Sequence, residues 1–200
     1  MVMNAVGWDF EGAAAESGFR YIAGVDEAGR GPLAGPVVSA AVMLPDTFPL
    51  AEMDDSKKLR PQKREILYKR IYDLAESVGI GIIDAHEIDR INILQASLRA
   101  MAMAVTNLKP APDYLLIDGK FTIVTDIPQR AIVRGDAKSI SIAAASIVAK
   151  VTRDRMMQHY HGQYPEYGFA QHKGYPTRAH KAAILRHGFC PIHRQSFRCR

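Results

Sequence analysis

Two apolar, β-branched runs joined by a short glycine- and proline-rich connection open the sequence, and segments with alternating strand-like and helix-like spacing follow them. That order predicts an α/β domain: a mixed sheet with helices on both faces, plus a small C-terminal helical region. With 200 residues, 48% of them hydrophobic, the chain has the material for one sizeable core.

The first strand is expected over residues 21–26, entering the run Gly29-Arg30-Gly31-Pro32-Leu33-Ala34-Gly35-Pro36. Residues 37–44 form the second, and so short a connection predicts antiparallel pairing. Pro61 suits the first turn of a helix; Leu67, Ile71, Leu74 and Val78 continue it until Gly79, with a third strand over 80–84. Ile91, Leu94, Leu98, Met101, Val105 and Leu108 predict one long helix stopped by Pro110. Short strands over 114–117 and 131–133 each lead to an aspartate, at Asp118-Gly119 and Gly135-Asp136. Ile140, Ala144, Ile147, Val148 and Val151 predict a helix packed closely on the sheet, and Thr177 and Gly188 bracket a last one. Residues 1–18 lack clear periodicity and read as a loosely ordered extension. The apolar helix pattern fades near Tyr160, which divides a catalytic domain over 19–160 from a C-terminal extension over 161–200.

A formal charge of +5 favours a polyanionic partner, although ordinary solubilising charge produces the same balance. Two cysteines, Cys190 and Cys199, are too few and too terminal for a disulfide framework and read as reduced thiols. No segment approaches the roughly 20 apolar residues that span a bilayer, and no basic segment followed by an apolar run opens the chain, so a cytoplasmic location is expected; monomer is the default expectation for oligomeric state.

Asp26, Glu27, Asp118 and Asp136 differ from the other acids in lying at strand ends or a helix start, beside glycine. Such a set, without an accompanying cysteine or histidine cluster, suits hard cations such as Mg²⁺ or Mn²⁺. Adjacent residues of a straight strand point to opposite faces, so Glu27 can join Asp26 only if the backbone bends within the glycine run. Taken singly, each aspartate also fits a turn or cap role. His159, His161, His172 and His180 match no zinc spacing and are expected at the surface or near substrate. Lys57, Lys58, Lys138 and Lys173 are candidates for phosphate contacts, while Arg194, Arg198 and Arg200 read equally as a basic surface or a flexible tail.

The stretch from Val25 to Val38 that contains Asp26-Glu27-Ala28-Gly29-Arg30-Gly31 resembles the opening signature of ribonuclease HII, of the type 2 ribonuclease H family. Asp55-Ser56-Lys57-Lys58-Leu59, Leu116-Ile117-Asp118-Gly119, Gly135-Asp136-Ala137-Lys138-Ser139 and His172-Lys173-Gly174-Tyr175-Pro176-Thr177 follow in that family's order. The resemblance implies a ribonuclease H-like fold. It also implies an endoribonuclease that hydrolyses the RNA strand of RNA–DNA hybrids and cuts 5′ of single ribonucleotides embedded in duplex DNA. Asp26, Glu27, Asp118 and Asp136 would hold two divalent ions, Mg²⁺ or Mn²⁺, for in-line attack of water. On that analogy Asp26 bridges both ions, Asp136 serves the nucleophile side, and Glu27 with Asp118 serve the departing 3′ oxygen. Gly29, Arg30, Gly31 and Tyr175 would sense the 2′-hydroxyl, with Lys57 also at the substrate. Arg30, and the short stretch before the first strand, favour ribonuclease HII over ribonuclease HIII. A DNA-junction nuclease and a non-catalytic nucleic-acid module are the alternative readings.

Overall fold

The computed structural model describes residues 6–49, 53 and 60–197. Its elements run α1 (Asp9–Glu16), β1 (Ile22–Ala28), β2 (Val37–Met43), α2 (Pro61–Leu74), β3 (Ser77–Ile83), α3 (Ala85–Ile91), α4 (Ile93–Thr106), β4 (Tyr114–Asp118), β5 (Gln129–Ile132), α5 (Ile140–Gln163), α6 (Phe169–His172) and α7 (Arg178–His187). One five-stranded sheet forms in the order β3-β2-β1-β4-β5. β2 pairs antiparallel with both β1 and β3, whereas β4 is parallel to both β1 and β5, so the sheet is mixed as predicted.

The pleat sorts the core. Ala40 and Val42 face α5 and α2, packing with Ile140, Ala144, Ile147, Val148, Leu67 and Ile71. Ala23, Val25, Ala41 and Met43 face the opposite way, onto Met101, Ala104 and Val105 of α4. Helices therefore cover both faces, and every residue of β2 is buried. A third cluster joins the far end of α5, through Met157, to Tyr167, Phe169 and Cys190 of the C-terminal region.

Three local expectations are corrected. Val78 belongs to β3, opposite Val42, instead of ending α2: cross-strand pairing against a buried partner outweighs its helical spacing. The apolar stripe from Ile91 to Leu108 is broken at Asn92, whose φ of 67° interrupts the helix and whose side chain accepts from Leu94 N and Gln95 N to start α4. Residues 9–16 are helical, not loosely ordered, because Glu11 is buried against the start of α5 and Ala14 packs inward. α5 runs on to Gln163, three residues beyond Tyr160, where the apolar pattern fades. Among the described residues, no helix is long and apolar enough to cross a membrane.

Candidate active site

β1 and β4 keep register from Ile22 beside Tyr114 to Val25 beside Ile117, so the next residue of each strand, Asp26 and Asp118, come side by side at the carboxyl ends. That edge is where open α/β sheets present their functional groups. β5 lies against β4, with Asp118 beside Ile132, and the chain then turns through Arg134 into a single 3₁₀ turn over Gly135–Ala137. The turn brings Asp136 to Asp118, whose Oδ1 accepts from Gly135 N at 2.6 Å and Asp136 N at 3.3 Å. A Cβ at Gly135 would meet Ile142 Cδ1 at 2.6 Å and Asp118 Oδ1 at 3.3 Å, so the close approach depends on glycine.

Glu27 stands on the opposite pleat from Asp26, since β1 remains regular to Ala28, but the strand does not continue to Arg30. Gly29, with φ of 103°, turns the chain away. Asp26 is 3% exposed and its carboxyl is held well above the usual carboxylate range, first by burial and then by the charges of Glu27 and Asp118. The Ser146 hydroxyl of α5 and Glu27 N, at 2.7 Å from Oδ1, partly offset this. The backbone thus brings the four sequence-predicted acids to one sheet end as a row in the order Glu27, Asp26, Asp118 and Asp136, with the Glu27 side chain on the opposite pleat from Asp26.

The set is all oxygen, matching the preference of hard divalent ions, and a cation among these charges would relieve the repulsion that raises Asp26. Among the described residues, no three acidic, histidine or cysteine side chains are grouped closely enough to hold a metal ion as they stand. The row is open, with Glu27 Oε1 lying 3.4 Å from Arg30 Nη1.

The loop of residues 29–36 borders this row. Arg30 is exposed, and Tyr175, 42% exposed, stands over Gly31, with its Cε1 3.7 Å from where a Cβ would lie. Arg30, Gly31 and Tyr175 therefore share one surface, which Arg30 joins to the Glu27 carboxylate, while Gly29 is buried beneath it. Lys57 and Lys58 lie outside the described residues. Lys138 Nζ donates to Val133 O at 2.8 Å and Lys173 Nζ to Ala170 O at 2.5 Å, so each already braces a neighbouring carbonyl.

The C-terminal region corrects two expectations. Of the two places expected for His180, the surface is excluded, since it is fully buried: its Nε2 lies 3.0 Å from His193 Nε2, its Nδ1 3.0 Å from Tyr175 O, and its ring stacks on His172 with centroids 4.4 Å apart. Arg194 is 1% exposed and takes no part in a flexible tail, whereas Arg198 and Arg200 lie outside the described residues. Arg194 gives Nε to Gly35 O, Nη1 to Arg30 O and Pro32 O, and Nη2 to Gly29 O. Arg153 of α5, also 1% exposed, binds Pro36 O, Ala34 O and Lys173 O. Burial lowers Arg194 to about 9 and Arg153 to about 10, which leaves both cationic at neutral pH.

Sequence reasoning also missed the support behind Asp136. Gly7 N donates to Lys138 O and Gly7 O accepts from Ile140 N, both at 3.0 Å, so the N-terminal segment brackets the Asp136 turn. Glu11 Oε1 accepts from Ser139 Oγ, Ser141 Oγ and Ser141 N. The signal available was a serine pair at a helix start; its acidic partner lies about 130 positions away, with no local pattern to connect them.

A mixed sheet clad on both faces, with an acidic row at its carboxyl edge, defines a ribonuclease H-like protein. The profile of the family Ribonuclease HII matches residues 23–199. The Ribonuclease HII of Geobacter metallireducens is 61% identical over 191 residues, covering 96% of this chain and 90% of that protein. That of Syntrophus aciditrophicus is 56% identical, with coverage of 96% and 92%. The crystal structure of ribonuclease H2 from Pyrococcus horikoshii superposes with a TM-score of 0.75 at 28% identity, over 90% of this chain and 95% of the other. The chain belongs to the ribonuclease HII family, and is accordingly an endoribonuclease of RNA–DNA hybrids with the divalent-metal dependence general to that family.

Proposed function

We propose that this enzyme cuts the RNA strand of hybrids and, in duplex DNA, the phosphodiester on the 5′ side of a single embedded ribonucleotide, leaving 3′-hydroxyl and 5′-phosphate ends. The observation that carries the reading is the juxtaposition of an acidic row with a glycine loop and Tyr175 on one surface. Two divalent ions, Mg²⁺ or Mn²⁺, would activate water and neutralise the departing oxygen when bound among Asp26, Glu27, Asp118 and Asp136. Asp26, central in the row, is the residue suited to shared coordination; Asp136 suits the nucleophile side, and Glu27 with Asp118 the leaving side. Ser146 orients the Asp26 carboxylate from α5.

Discrimination falls to the backbone of Gly29-Arg30-Gly31 and to Tyr175, because a 2′-hydroxyl is sensed by donors and acceptors that reach the sugar edge. Lys57 is assigned a phosphate contact on sequence alone. Residues 161–200 complete the groove of the catalytic domain, and the protein acts as a cytoplasmic monomer. The test is a DNA duplex carrying one ribonucleotide. It should be cut 5′ of that nucleotide in Mg²⁺ or Mn²⁺ and remain intact in chelator, whereas binding without cutting would favour a non-catalytic module.

A further inference from the structure

The loop of residues 29–36 has an unusual internal anchorage. Its carbonyl groups at Gly29, Arg30, Pro32 and Gly35 accept from Arg194, and those at Ala34 and Pro36 accept from Arg153. Burying two guanidinium groups is costly, and the cost is offset only when their donors are satisfied. Here the satisfaction comes from backbone carbonyls. Neither arginine is ion-paired among the described residues, so no carboxylate cancels their charge by direct contact.

The consequence for the outer surface follows from peptide geometry. In a trans peptide unit the C=O and N–H point in opposite directions. The carbonyls of Gly29 and Arg30 are held inward by Arg194, so the N–H groups of Arg30 and Gly31 point outward, and among the described residues neither has a protein acceptor. Successive outward amides over buried positive charge form a concavity suited to an oxyanion or a sugar oxygen.

Arg153 also reaches Lys173 O at 3.0 Å, two residues before Tyr175. Leu33 N donates to Gly174 O, Gly35 N to Ile192 O and Arg194 N to Leu33 O, each at 2.8 Å, so three separate chain segments are locked together. One pair of side chains thereby fixes both the direction of the loop amides and their spacing from the Tyr175 ring.

We propose that Arg153 and Arg194 are positioning residues for ribonucleotide discrimination, holding the amides of Arg30 and Gly31 and the ring of Tyr175 in the arrangement that recognises a 2′-hydroxyl. The proposal rests on the reading of the glycine loop and Tyr175 as the ribose sensor. A single ribonucleotide offers one register in which to be recognised, whereas an all-RNA strand offers many equivalent ones. A loosened sensor therefore penalises the first substrate more.

Arg194→Lys and Arg153→Lys keep the charge but lose the planar fork that serves several carbonyls at once. Each is assayed for kcat and KM on a duplex with one ribonucleotide, on an all-RNA hybrid and on all-DNA duplex, with melting by circular dichroism and Mn²⁺ binding by calorimetry. The ratio of kcat/KM for the single ribonucleotide to that for the hybrid should fall by about tenfold, while Mn²⁺ affinity is retained. Equal loss on both substrates, or an unchanged ratio, overturns the assignment. If unsubstituted enzyme cuts the single-ribonucleotide duplex no better than all-DNA duplex, the sensor reading itself falls and takes the assignment with it. Should the lysine variants not fold, the guanidinium N–H resonances of Arg153 and Arg194 in unsubstituted enzyme, recorded in chelator, provide the same decision. They should shift with the ribonucleotide duplex and not with all-DNA duplex; identical responses to both overturn the proposal.

Discussion

Asp136 is positioned by backbone bonding on both sides: its N–H points to Asp118 Oδ1, and the turn that carries it is bracketed by Gly7. Replacing it by asparagine keeps the shape and removes the charge. Asp136→Asn should leave melting and duplex binding near the unsubstituted values and abolish turnover; substantial residual turnover would remove this carboxylate from the proposed ion ligands. Tyr175 makes the opposite prediction, because its half-exposed ring touches the loop instead of the acidic row. Tyr175→Ala should lower cleavage at a lone ribonucleotide more than cleavage of an all-RNA hybrid. Both side chains were legible in the sequence as candidates, since each lies within a contiguous motif that resembles the family's. Arg194 was not, because its partners at Gly29 and Gly35 lie about 160 positions earlier and nothing local marks an arginine as buried.

The C-terminal helices are held by a histidine cluster that should make their anchorage sensitive to pH. His193 is 3% exposed and lowered from 6.5 to about 4, chiefly by burial and then by His180; His172 also lowers it, while Cys190, whose thiol burial pushes up, lies 3.0 Å from its Nδ1. The unfolded chain takes up a proton near 6.5 and the folded chain does not until about 4, so this stabilisation is complete above about 6.5 and is lost as pH falls towards 4. The shift corresponds to a few kcal/mol, on the order of 3. Melting temperature should drop between pH 7 and pH 5, and His193→Gln should flatten that drop; an unaltered slope would exclude His193 as its source. At the other terminus, Glu11→Ala removes the acceptor of three donors and should cost about 1–3 kcal/mol in urea denaturation. A cost near zero would mean that α1 does not brace the Asp136 turn. Neither effect was visible in the sequence, where α1 has only a short alanine-rich stretch and His193 has no helical or strand-like period around it.

For the molecule as a whole, the sheet and its cover were largely legible because periodicity reports burial directly. β2, buried at every position, and α4, with its apolar stripe, emerge from residue spacing alone. What spacing could not supply was strand order. The parallel placement of β4 beside β1 brings Asp118 next to Asp26 across 92 residues of chain, and that pairing creates the acidic row. We propose that this row, and no other group of side chains, binds the ions of hydrolysis. Anomalous diffraction from crystals containing Mn²⁺ and a duplex with one ribonucleotide addresses it most directly. Two peaks should lie within coordination distance of Asp26, Glu27, Asp118 and Asp136, beside the phosphate on the 5′ side of the ribonucleotide. Manganese bound elsewhere in crystals that retain cleavage competence, with these four carboxylates unligated, would contradict the account.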